Sequence, residues 1–188
     1  MLVRLVVSGW LALLLAACAP PMNYVHPTAD LTSIKRVAIV PLQNLTQEKG
    51  VEDKVMNIVA IEALRRGLEV VEFGEVAKVL RAEGVRREEG VISKDAASGA
   101  AARLNVQGFF VGSVLEYGVS PSSGSSYPEV CLTLKLVDAK SYAVVWEATH
   151  SVKGSTVMDR LFGIEKRSPS DLCRQAVVEM LDTLFVWR

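Results

Sequence analysis

Side chains able to do covalent or acid–base chemistry are few in this 188-residue chain: three cysteines, Cys18, Cys131 and Cys173, and two histidines, His26 and His150. Neither histidine stands near a likely partner in sequence, so a histidine metal site or a serine-type triad lacks parts. His150, at the end of a strand-like run, reads as a residue whose ring nitrogen is satisfied within the fold. The carboxylates Glu62, Glu69, Glu72, Glu75, Glu83, Glu88 and Glu89 are scattered over what read as solvated helix faces, and no pair stands out for glycoside hydrolysis. Gly108 and Gly112 flank Phe109, Phe110 and Val111 without forming a phosphate loop, and read as strand glycines where another backbone comes close. The expectation is a protein that is not an enzyme. Cys18 differs from the other thiols by its position. Arg4 gives a basic start, Leu11 to Leu15 a short apolar run, and Leu15-Ala16-Ala17 a small-residue approach to the cysteine. That layout describes a secretory signal, because a membrane span needs roughly 20 apolar residues.

The Leu-Ala-Ala-Cys ending resembles the lipobox of bacterial lipoproteins, and the resemblance implies what the Cys18 thiol does. It would be diacylated, the signal removed and the new amino terminus acylated, so the expected group is covalent diacylglycerol and N-acyl lipid on Cys18, with no other cofactor and no metal. Several acyl chains at about 0.8 kcal/mol per buried methylene anchor durably where one chain is marginal. Ala19 rather than Asp after the cysteine implies sorting to the periplasmic face of the outer membrane. In that oxidising compartment Cys131 and Cys173 could pair if their α-carbons approached within about 7 Å. Cys173, however, belongs to an apolar helix stripe and Cys131 shares a strand face with Thr133 and Lys135, so two free thiols are expected.

Twenty-one basic and twenty-one acidic residues give no net charge and no like-charge block, so nucleic acid is not an implied partner. Removing residues 1–17 leaves about 170 residues, enough for one domain. The expected organisation is a signal peptide over 1–17, a lipidated tether over 18–33 and a single periplasmic domain over 34–188. Pro20, Pro21 and Pro27, without periodicity, mark the tether.

The elements that position these residues follow from pattern. Residues 36–40 form a continuous apolar run ended by Pro41, the mark of a strand buried on both faces, and 43–46 read as a polar turn. Val55, Ile58, Val59, Ala63 and Leu64 have helical spacing and Gly67 stops the helix, predicting a helix over 51–66 and a strand over 68–71. Helices are predicted over 74–83 and 93–104, an antiparallel meander over 107–117, 129–138 and 142–151, and a closing helix over 169–185. The fold class is α/β (α+β), a mixed sheet of about five strands with helices packed on it.

Three segments carry a further resemblance: Val37 to Leu45 (VAIVPLQNL), Phe109 to Tyr117 (FFVGSVLEY) and Leu134 to Glu147 (LKLVDAKSYAVVWE), with Leu80 to Val85 (LRAEGV) adding a weaker match. Together they resemble the CsgG/PelC/LpoB-like outer-membrane lipoprotein superfamily, and the compact length places them nearest its PelC-like members. The resemblance implies a TolB amino-terminal-domain-like fold, ring formation and no catalytic residues. In CsgG-like members, barrel segments follow the glycine-serine strand and the final hairpin. Here residues 120–128 read as a serine- and glycine-rich loop, too short for two membrane strands of about ten residues each.

The implied function is an accessory lipoprotein that forms a homo-oligomer and helps an exported polymer, an exopolysaccharide, toward a separate outer-membrane export pore. Two alternatives are a component of a curli-type or other envelope assembly and an LpoB-like activator of a peptidoglycan synthase. The activator role suits a long tether, whereas Cys18 to Leu31 reaches at most about 45 Å. Met158, Leu161 and Phe162, apolar residues in a polar loop, are expected at the membrane interface, with Trp187 as a second contact. Tyr117 and Trp146 could stack on sugars, but as strand residues they read first as packing.

Overall fold

The computed structural model describes residues 20–86, 92–122, 125–154 and 167–187. Cys18 and the signal segment, with Met158, Leu161 and Phe162, lie outside the described residues.

Seven strands form one mixed sheet: β1 (Met22–Val25), β2 (Arg36–Ile39), β3 (Gln43–Asn44), β4 (Glu69–Val70), β5 (Gly108–Ser122), β6 (Ser125–Asp138) and β7 (Val144–Lys153). Their order is β1-β7-β6-β5-β2-β4, with β3 beside β5. Among the described residues four α-helices pack on it: α1 (Val51–Arg65), α2 (Phe73–Ala82), α3 (Lys94–Leu104) and α4 (Pro169–Phe185).

β2 and β4 pair in parallel with α1 as the crossover, and β2 also pairs in parallel with β5. Val37, Ala38 and Ile39 are almost wholly buried because helices cover both faces of the sheet here. Alternation sorts the side chains further along. Phe110, Val114, Leu132, Leu134, Leu136, Trp146 and Ala148 face one way and form a core with α1 and α4, which is the back of the molecule. Ala38, Val40 and Phe109 face the other way under α2 and α3. Helix ends obey local chemistry. Ser168 and Asp171 form a capping box with Pro169 beginning α4, Ser93 caps α3, and Gly67 takes a left-handed φ of 83° after α1.

The mixed sheet with helices packed on it is as expected, and four details differ. The sheet has seven strands rather than about five. Met22–Val25, placed in the tether by its flanking prolines, instead pairs antiparallel with β7, because the edge of β7 offers unpaired backbone groups. Gln43–Asn44, read as turn, pairs with Ser113 and Val114. Finally, part of the expected loop over 120–128 is hairpin: β5 and β6 continue pairing to Ser122 and Ser125. Backbone pairing there needs no apolar alternation, so the serine-rich composition hid it.

Candidate binding surfaces

Among the described residues, α2 and α3 cover only the β2 and β4 side of the front, and no helix lies on the front of β6, β7 and β1. Register places the side chains of this open face in rows. One row is Gln43, Ser113, Thr133, Thr149 and Met22; the next is Val111, Lys135, Glu147 and Tyr24. Cross-strand bonds hold it: Thr133 and Thr149 hydroxyls lie 2.9 Å apart, and Lys135 pairs with Glu147 at 3.1 Å. Toward α3 the face dips into a hollow of about 290 Å³ lined largely by apolar atoms, among them Ile92, Val111, Val137, Tyr142 and Val144. The Tyr142 hydroxyl, donating to the Ile92 carbonyl, fixes its rim. Gly112 keeps the floor close, since a β-carbon there would collide with the Thr133 carbonyl oxygen, which fits its reading as a close-approach glycine.

On the back, α1 turns Ile61 and Leu64 outward, 55 % and 53 % exposed; Ile61 lies opposite Val59 and Ala63, and Leu64 flanks the buried side next to Ala60. Just inside, Glu62 is buried and its carboxylate receives Arg65 at 3.0 Å and Arg66 at 2.6 Å. Arg66 also meets Asp182 of α4 at 2.5 Å. Burial disfavours the Arg66 charge, but hydrogen bonds to Asp182 and Glu62 outweigh it and hold the guanidinium above its ordinary pKa.

At the end where the chain enters the sheet, Trp187 is exposed together with Val186 and Met22. Trp187 also lines a hollow with Asn23, Val25, His26 and Leu31, so of the expected membrane contacts it is the one described, beside the segment that leads back to Cys18.

The remaining candidates are structural. Trp146 is fully buried, donates Nε1–H to Thr183 Oγ1 at 3.0 Å and meets Phe110 edge to face, so it offers no stacking platform to a sugar. Tyr117 packs on the core, with its hydroxyl 3.2 Å from Ser170 Oγ and Lys54 over its ring. His150 is buried and bonded to Glu179 at 2.5 Å, a partner from the closing helix that no local spacing reveals. Cys131 and Cys173 are free thiols. Burial pushes Cys173 up to about 12. Burial, aided by Glu116 and Glu129, also raises Cys131. Among the described residues no group of three or more His, Cys, Asp or Glu could hold a metal, and no helix is long and apolar enough to cross a membrane.

No family model matches the chain, and no curated protein matches it in sequence. Solved structures do. The PelC dodecamer of Paraburkholderia phytofirmans superposes with a TM-score of 0.59 at 19 % identity, over 87 % of this chain and 95 % of that one. Lipoprotein GNA1162 of Neisseria meningitidis gives 0.59 at 16 % identity, over 81 % and 99 %. A hypothetical protein of Chlamydia trachomatis gives 0.55 at 10 % identity, over 82 % and 97 %. The resemblance carried by the three sequence segments is therefore matched by the backbone, and in fold the chain is PelC-like across most of its length.

Proposed function

We propose that this protein is a non-catalytic lipoprotein of the outer membrane, facing the periplasm, that assembles into a ring and guides an exported exopolysaccharide toward a separate pore. The observation that supports it is the fold shared with the PelC dodecamer over 87 % of the chain, coupled to the Leu-Ala-Ala-Cys signal ending. Cys18 carries the diacylglycerol and N-acyl lipid. Trp187, with Met158, Leu161 and Phe162, rests at the membrane interface close to that anchor.

The test is the mass of the lipidated protein in detergent, and of the acyl-free mature domain, by light scattering. A closed ring of many copies supports the reading, and a monomer in both states refutes it. Incorporation of labelled palmitate, lost in Cys18→Ala, tests the anchor separately. Replacing Leu161 and Phe162 with serine, without loss of vesicle association by an unlipidated domain, would remove the loop from the membrane contact.

A further inference from the structure

A closed ring joins unlike surfaces, front to back, so each protomer needs two different patches. With twelve copies, as in PelC, each step turns by a twelfth of a circle, and the two patches must point in nearly opposite directions.

The described residues carry such a pair. Ile61 and Leu64 stand three apart on α1, so they adjoin on its surface, Ile61 facing away from the core and Leu64 on the flank beside it. Single exposed apolar residues mean little, but two adjoining ones over half exposed form a ridge. Across the sheet, on the opposite side of the molecule, lies the hollow beside Val111, Val137, Tyr142 and Val144. One patch is a convex apolar ridge and the other a concave, largely apolar hollow. A ridge and a hollow on opposite sides make a head-to-tail contact, which forms a ring when its rotation closes.

Resting on the ring reading above, we infer that Ile61 and Leu64 on α1 of one copy dock into the front hollow beside β5, β6 and β7 of the next. The contact is heterologous, and the Lys135–Glu147 pair and the Thr133–Thr149 row flank it as its polar margin.

The experiment uses the mature lipidated protein in detergent, with mass by light scattering. The unsubstituted protein comes first: if it is monomeric, the ring reading fails and the docking inference falls with it. If it is a ring, a back variant (Ile61→Asp with Leu64→Asp) and a front variant (Val144→Arg) are each expected to be monomeric with unchanged circular dichroism. Mixed one to one, they are expected to form a heterodimer, because each retains the patch the other lacks. Rings that persist in both variants overturn this interface while leaving the ring intact. Cysteine trapping is independent of whether those variants fold. Leu64→Cys combined with Val144→Cys is expected to give a ladder of linked multimers on oxidation that neither single variant gives, and absence of the ladder in an intact ring overturns the contact.

Discussion

Replacing Arg66 with alanine removes the cation that ties α1 to α4. Its guanidinium donates to Glu62 Oε2 at 2.6 Å, to Asp182 Oδ1 at 2.5 Å and to the Val178 carbonyl at 3.4 Å. The two acids suffer unequally, since the Glu62 side chain is 5 % exposed and that of Asp182 is 60 % exposed. Breaking a buried pair from one side costs about 3–5 kcal/mol, because the remaining charge is left without compensation. Arg65 still reaches Glu62 at 3.0 Å but is largely solvated, so it offsets only part. The expected loss is about 2–3 kcal/mol. For a domain of this size that lowers the melting midpoint by about 4–12 °C. Asp182→Ala, which removes only a solvated partner, is expected to cost under about 1 kcal/mol. Replacing Glu62 and Arg66 together with leucine and methionine is expected to restore most of the loss, since no charge then remains buried. Urea unfolding followed by circular dichroism measures all four proteins. An Arg66→Ala variant within about 0.5 kcal/mol of the parent, or an equal loss in Asp182→Ala, would refute the assignment of the cost to Glu62.

Three further outcomes are expected. Ser168→Ala removes the hydroxyl that caps α4, a change worth about 1 kcal/mol, and it also alters the acid limb of the stability curve. The Ser168 hydrogen bond holds the Asp171 carboxyl below its ordinary value of 3.8, so the associated stability is present above that value and disappears as pH falls through the lower folded one; melting midpoints taken across the acid range should fall less steeply in the variant. Thiol titration with Ellman's reagent near neutral pH should label Cys131 slowly and Cys173 only on unfolding, and rapid labelling of Cys173 would contradict its burial. Gly112→Ala should destabilise by about 1–3 kcal/mol in the same urea assay, because the new methyl meets backbone rather than a side chain that can swing aside; a neutral effect would show that β5 and β6 are less closely spaced there.

Elements that bury a periodic apolar set were legible from the residues alone. The closing helix over 169–185 and the meander strands declare themselves through stripes such as Leu172, Ala176, Met180 and Leu184, or through the alternation of Leu132, Leu134 and Leu136. β1 and β3 were not legible. Each is short, and what makes it a strand is the unpaired edge of a neighbour distant in sequence, β7 for Met22–Val25 and β5 for Gln43–Asn44. The same limit applies to the surfaces. His150 to Glu179 and Arg66 to Asp182 join residues that only tertiary packing brings together. On α1, Leu64 falls at helical spacing with Ala60, and periodicity alone does not separate its exposed side chain from the buried ones. The front hollow arises because α2 and α3 stop short of β6, a matter of layer coverage and not of any single segment.

The pairing of β1 with β7 has a mechanical consequence. Met22, opposite Thr149, is the first pair met by any tension applied from the amino-terminal side, and Asn23, Tyr24 and Val25 follow in turn. A pull across β1, away from β7, would load the pairs one after another, as in peeling a zip, whereas a pull along the strand axis would load all four together. Were the chain anchored at Cys18, the four residues to Met22 would reach about 14 Å when extended, and release of the segment as far as Leu31 would lengthen that to about 45 Å. Release of β1 therefore lengthens the amino-terminal segment while β2 and β5 to β7 stay paired, until the pull reaches Leu31, whose buried side chain ties the segment to the core.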